Sequence, residues 1–173
     1  MKRKENFFWE LVKTVALAAL VVIPIRVFIF QPFLVRGSSM EPNFHRGDYL
    51  IVDQVSYRFK DPERGDVIVF HDPQGSGRRY IKRVIGLPGE TIIIADGIIE
   101  IYKDEVTKEL ENEYLDIETP GDIEEVLGDG EYFVLGDNRA ASLDSRNWGV
   151  LPEREIIGKV SISLSPHSII AGN

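Results

Sequence analysis

The 173-residue chain contains no cysteine and only three histidines, His45, His71 and His167. The first absence excludes a disulfide framework and Cys-based zinc sites. The scarcity of histidine leaves a serine with a lysine as its base as the most economical arrangement for nucleophilic chemistry. No long basic patch is present to hold nucleic acid. There is no internal repeat and no low-complexity tract. The apolar stretch near the N-terminus is followed by bulky residues (IRVFIFQPFLVRG) rather than a small-x-small site, which argues against a cleaved secretory signal.

What is present divides by composition. The net charge of −8 is local: residues 103–131 hold twelve acids against two lysines, and the rest of the chain is slightly basic. The acidic segment therefore reads as a solvated surface around an excursion from the core. At the other end, Lys2, Arg3 and Lys4 precede the stretch Thr14–Val35, TVALAALVVIPIRVFIFQPFLV. Its length fits the ~20 apolar residues of a membrane span, with Arg26 near one end where a long side chain reaches the interface. The Val15–Ile25 run is apolar on all sides, unlike an amphipathic soluble helix. The basic cluster predicts an N-terminus inside and the remainder outside. The expected organisation is a cytoplasmic tail at 1–13, an anchor at 14–31 and an extracytoplasmic domain at 32–173, with a variable acidic insertion around 100–130.

Beyond the anchor the pattern is mainly β. Short β-branched or aromatic segments run over 49–55, 66–72, 79–86, 91–102, 131–137 and 156–166, separated by turn signals. Asp96-Gly97 between apolar runs predicts a hairpin. A short helix is expected at 106–114. An antiparallel sheet or barrel accommodates such a string of strands.

Three segments carry chemistry. In RGSSMEP (36–42), Gly37 permits a turn closed to other residues and Pro42 restrains the exit. Such a turn exposes the Ser39 hydroxyl and aims a backbone N–H at the same point, as an acyl-transfer nucleophile with an oxyanion hole requires. In YIKRVIGLPGE (80–90), strand alternation puts Tyr80, Lys82 and Val84 on one face and Arg83 on the other. Apolar surroundings would hold Lys82 neutral: bringing its pKa from ~10.4 to ~8 takes about 3 kcal/mol. In VLGDNRAASLDSRNWGVLP (134–152), a tight turn at 136–138 precedes Ser142, Asp144 and Arg146, which share a face if extended. There Asp144 and Arg146 would pair, and Ser142 would orient Lys82.

Taken together and in this order, the three segments resemble bacterial type I signal peptidase (leader peptidase, peptidase family S26). The single-span layout is similar to the shorter Gram-positive forms. The resemblance covers the anchor and most of the chain outside the acidic excursion. It implies a β-rich catalytic domain of LexA-like type with a small inserted subdomain. By that resemblance Ser39 is the nucleophile and Lys82 the general base. Ser142 positions Lys82, and Asp137, Asp144 and Arg146 support the architecture. Gly37 stands where Gram-negative relatives carry a hydroxyl residue that serves as an oxyanion donor, which leaves the Ser39 N–H as one donor and the neighbourhood of Gly37 to supply a second. Ala140 and Ala141 replace residues that are often polar in relatives. Phe33, Val35, Met40, Phe44, Tyr80 and Ile81 are expected to line shallow substrate pockets.

The implied function is cleavage of signal peptides from exported preproteins at the outer face of a bacterial cytoplasmic membrane, with no metal or cofactor. The implied partners are signal peptides, the lipid bilayer and a nearby secretion translocon. Two readings of other kinds compete: a self-cleaving repressor with the same pair of residues, and a non-catalytic, membrane-tethered β module that binds an envelope peptide. The first lacks a DNA-binding helix pair and is at odds with the anchor. The second makes Ser39 and Lys82 dispensable.

Overall fold

The computed structural model describes residues 2–28, 30–103, 106–109 and 118–165, with side chains at 7–20, 22, 31–103 and 118–165. In chain order the elements are α1 (Lys2–Phe28), β1 (Phe30–Leu34), β2 (Tyr49–Asp53), β3 (Val67–His71), β4 (Arg79–Gly86), β5 (Thr91–Ala95), β6 (Ile98–Lys103), β7 (Val106–Glu109), β8 (Ile123–Val126), β9 (Glu131–Leu135), α2 (Ser145–Trp148), β10 (Leu151–Pro152) and β11 (Ile156–Leu164).

Seven strands form one antiparallel sheet in the order β1-β2-β11-β3-β4-β9-β10. Its inner strands β3, β4 and β9 are largely buried on both faces. On β3, Ile68 and Phe70 join Val84, Tyr132, Val134 and Leu151 in one cluster, while Val69 turns to another with Val35, Leu50 and Val52. This is the period-2 consequence of a near-continuous apolar run in a strand covered on both sides. Buried strands of this kind exclude water from any side chain placed between them, and Lys82 lies in one of them.

The second sheet, β7-β6-β5-β8, begins at Thr91 and contains part of the acidic segment. Its β5 and β6 alternate buried and exposed residues, as expected of an antiparallel sheet with one solvated face. Ile92, Ile94, Ile99 and Ile101 pack with Ile85, Phe133 and Leu135 of the larger sheet. The acids Glu124 and Glu125 lie on β8 at the sheet's edge. At the β5–β6 turn Asp96 and Gly97 both have positive φ, 51° and 81°, the geometry for which an Asp-Gly pair is selected.

Three expectations change. The helix α1 stops at Phe28, and Phe30 and Gln31, assigned to the anchor from the sequence, are paired with Asp53 and Val52 as part of β1. Within α1 the uncharged run is twelve residues, Thr14 to Ile25, before Arg26 interrupts it. Among the described residues no helix is long and apolar enough to cross a membrane. The helix expected at 106–114 is replaced over Val106–Glu109 by β7, an edge strand on β6, and 110–114 lie outside the described residues. The run 142–146 is not extended throughout: Asp144 is the N-cap of α2, with a capping box closed by Asn147.

Candidate active site

Lys82 is delivered by the middle of β4, opposite Ile68 of β3. Its side chain is 2 % exposed. Nζ stands 2.8 Å from Ser39 Oγ, within hydrogen-bonding distance, and donates to the Ile81 carbonyl at 2.9 Å. Burial pushes the amine from 10.5 down to about 8, while Asp144 and Asp137 pull back in the opposite direction. The neutral form is therefore accessible near physiological pH, where an ordinary lysine is almost wholly protonated.

Ser39 lies in the loop between β1 and β2. Gly37 has φ +116°, outside the range of ordinary L side chains. The loop is tied at several points: Phe44 N–H donates to the Met40 carbonyl, and Gly47 N–H to the Val35 carbonyl. Among the described residues no acceptor meets the Ser39 N–H, so it is available to an oxyanion. The Ser39 carbonyl accepts from Asn138 N–H at 3.0 Å, and the Ser38 carbonyl accepts from Asn138 Nδ2 at 3.2 Å. One residue thus grips the Ser39 loop twice.

The other face of β4 explains Asp137. Strand alternation sends Arg83 away from Ser39, where its Nε and Nη2 donate to the two Asp137 carboxylate oxygens at 2.8 and 2.6 Å. Asn43 Nδ2 adds a third bond at 2.8 Å. Asp144 is fully buried; it accepts from Gly136 N–H at 3.0 Å and from Arg146 Nε and Nη2 at 2.8 and 2.9 Å. Arg146 also reaches the Arg139 carbonyl at 2.6 Å. These two ion pairs brace the segment that holds Asn138 against Ser39. Ser142 Oγ is buried and, among the described residues, has no hydrogen-bond partner. It packs at Gly136, where an added Cβ would also meet the Ser39 carbonyl at 2.5 Å. Gly136→Ala is accordingly expected to displace the nucleophile loop or Ser142 and to lower kcat by more than tenfold, roughly the effect of ångström-scale misplacement. Unchanged turnover in Gly136→Ala would show that the loop has slack.

A groove of about 540 Å³ ends at Ser39 and Lys82. Its walls come from β1 and the residues after it (Pro32, Phe33, Leu34, Val35, Arg36) and from the start of β4 (Arg79, Tyr80, Ile81). These strands are four places apart in the sheet, so the sheet must curl for both to face one groove. Of the six residues expected at the pockets, Phe33, Val35, Tyr80 and Ile81 line it. Met40 is buried at 1 % exposure, and Phe44 packs on the Val35–Leu50 cluster; neither is in the lining. Sequence reasoning gave Arg83 and Asn43 no partner and gave Asn138 and Gly136 a place in a turn only. The first had a legible signal, a cation forced by alternation to the face opposite Lys82, whereas the partners of the other three are distant in sequence. Among the described residues no cluster of His, Asp and Glu is arranged to hold a metal.

A hydroxyl beside a buried, readily neutralised amine, both lining a groove of about 540 Å³, suits nucleophilic attack on a peptide. A family model for signal peptidase, peptidase S26, matches residues 8–165. A probable signal peptidase I-1 from Synechocystis sp. is 38% identical over 172 residues, which cover 94% of this chain and 85% of the relative. Signal peptidase I T of Bacillus subtilis is 38% identical over 165 residues, 91% of this chain and 85% of the relative. A crystal structure of a signal peptidase I from Enterococcus faecalis matches 59% of this chain and 98% of its own at 32% identity, with a TM-score of 0.48. The chain belongs to the signal peptidase family, peptidase S26, and is a peptidase of the signal peptidase I kind. A non-catalytic tethered module is thereby set aside.

Proposed function

We propose that the protein is a membrane-tethered serine endopeptidase that cleaves signal peptides from exported preproteins, with Ser39 as nucleophile and Lys82 as general base. The observation that carries this reading is the 2.8 Å contact between Lys82 Nζ and Ser39 Oγ in a water-excluded setting. Neutral Lys82 accepts the Ser39 proton as Oγ attacks the scissile carbonyl carbon. The resulting ammonium protonates the departing amine, which leaves an acyl-enzyme. Neutral Lys82 then takes a proton from the water that hydrolyses the ester. The Ser39 N–H is one donor for the developing oxyanion. Ser142, a short distance behind the loop, has its hydroxyl unspent and is the group we assign to orienting the amine. Asp137, Asp144 and Arg146 hold the walls.

The substrate lies in the groove as an added strand between the Val35 and Ile81 segments, using backbone hydrogen bonds for affinity. Small side chains at the first and third positions before the cut fit the shallow pockets formed by Phe33, Val35, Tyr80 and Ile81. The basic N-terminus and the apolar part of α1 support our assignment of the chain to the cytoplasmic membrane of a bacterium, N-terminus inside, and we put the translocon close by. Tethering confines enzyme and signal peptide to one surface and raises their effective concentration. Protease added to intact spheroplasts is expected to digest the catalytic domain; protection until the membrane is breached would reverse the orientation.

The catalytic test is cleavage of a preprotein with an Ala-x-Ala site by the wild type and by folded Ser39→Ala. Turnover by the alanine variant at the wild-type rate would discard the mechanism. The pH profile provides a second check. The competent amine is the deprotonated one, and its pKa is about 8. With chemistry rate-limiting, kcat is expected to rise about tenfold per pH unit below that value and to level off above it. A flat profile from pH 6 to 9 would remove Lys82 as the base.

A further inference from the structure

The groove differs in charge from the molecule around it. The chain as a whole carries −8, yet the groove lining contains Arg36, Arg79 and Lys82 and no aspartate or glutamate. Neither arginine forms an ion pair among the described residues. Asp72, in the turn that follows β3, forms no ion pair with Arg79 among the described residues; its carboxylate accepts from Gln74 N–H and from the Ser76 hydroxyl. The Arg79 guanidinium instead extends from β4 to the opposite wall, with Cζ 5.5 Å from the centroid of the Phe33 ring. A cation stacked on a ring keeps its edge N–H groups free for a carboxylate.

The location relates these charges to the substrate. Arg79 lies three residues before Lys82 on β4, and Arg36 three residues before Ser39 on the other wall. Along β4, at ~3.3 Å per residue, Arg79 is about 10 Å from Lys82, the span of three extended substrate residues, and Arg36 sits just before the turn at Gly37. Side chains at the first and third positions before the cut are committed to the shallow pockets, so alternation leaves the second and fourth to meet the charged walls.

We propose that Arg36 and Arg79 make the groove an electrostatic selector, favouring signal peptides with an acidic side chain at the second or fourth position before the cut and rejecting those with lysine or arginine there. The inference rests on the groove being the substrate site, as proposed above. An acidic side chain gains a charge-assisted, geometrically matched partner. A basic one meets two like charges and a third whenever Lys82 is protonated, a juxtaposition that discriminates between partners.

The experiment measures kcat/KM in neutral detergent at low salt for a preprotein with an Ala-x-Ala site carrying Glu, Gln or Lys at the second position before the cut and, in a separate series, at the fourth. The enzymes are the wild type, Arg79→Lys, Arg79→Gln and the Arg36→Gln/Arg79→Gln pair, and ratios are compared within each enzyme so that a general loss of activity cancels. The expected order for the wild type is Glu, Gln, Lys, with about tenfold between the extremes, shrinking as salt screens the charges. Arg79→Lys should keep the order, Arg79→Gln should weaken it, and the pair should bring the ratio to within about twofold of unity. Equal cleavage of the three substrates by the wild type in both series, or an undiminished ratio in the pair, overturns the selector and leaves the peptidase reading intact. Failure of the folded wild type to cleave any of them overturns both.

Discussion

Lys82→Met is expected to abolish practical cleavage while making the protein more stable. The lost proton acceptor corresponds to roughly 10²–10⁴-fold in kcat, the usual range for a positioned general base, and among the described residues no other amine is hydrogen-bonded to Ser39 Oγ. The gain in stability has the opposite origin. Folding lowers the Lys82 pKa from 10.5 to about 8 because the ammonium is taken out of water, a cost of about 3 kcal/mol whenever the group is charged in both states. The sign follows from the bound protons. Below about pH 8 both states hold the proton and the folded state bears the whole cost. Between about 8 and 10.5 the unfolded chain binds the proton more than the folded one, so wild-type stability rises with pH. Above 10.5 no difference remains. Methionine fills a similar volume without a charge, so urea unfolding should show the variant ahead by up to about 3 kcal/mol at pH 7 and level with the wild type at about pH 10.5. A variant that is less stable at pH 7, or that still cleaves, would contradict the role given to the buried amine.

Asp137→Ala is expected to lose about 3–5 kcal/mol, the usual cost of stripping one partner from a buried ion pair. Arg83 is 7 % exposed and Asp137 1 %, and the carboxylate is the acceptor for two guanidinium nitrogens and for Asn43. Its removal leaves a guanidinium in the interior without its carboxylate, while the bond to the Gly65 carbonyl stays in place. Cleavage should fall as well, because the next residue, Asn138, holds the carbonyls of Ser38 and Ser39. Thermal unfolding and kcat measured on the same preparation test the two effects. The double change Arg83→Met/Asp137→Leu should recover much of the stability, since apolar pairs commonly replace buried ion pairs without loss. A drop below 1 kcal/mol in Asp137→Ala would show that the pair is hydrated.

How much could be read beforehand depended on whether the signal was local. Residues 79–86 appear as one strand both in the sequence pattern and in β4, because β-branched residues bounded by Gly-Arg and Leu-Pro-Gly are sufficient to define it. The Asp96-Gly97 turn is likewise encoded by two residues. Non-local pairing defeated the same approach at β1: Phe30–Leu34 continues an apolar run, and only its ladder with Tyr49–Asp53 makes it a strand. At Asp144 the polar alternation suggested an extended chain, but the side chain instead caps α2 and pairs with Arg146 inside it. Met40 is expected at a pocket through the family resemblance, whereas its side chain is buried in the interior.

For the site itself, the sequence alone determined the chemical inventory. Without cysteine, and with histidine scarce, Ser39 and Lys82 were the groups best suited to nucleophilic chemistry, and their motifs identified them. The distribution of charge, the apolar N-terminal run and most strand positions were equally legible, since each depends on neighbours within a few residues. Only the tertiary structure decided whether Lys82 meets Ser39 across 43 residues of chain, whether its amine is shielded enough to lose a proton, and which wall of the groove carries charge. Those properties depend on the exclusion of water by β3, β4 and the nucleophile loop together, and solvent exclusion is set by contacts between segments whose sequences do not specify one another.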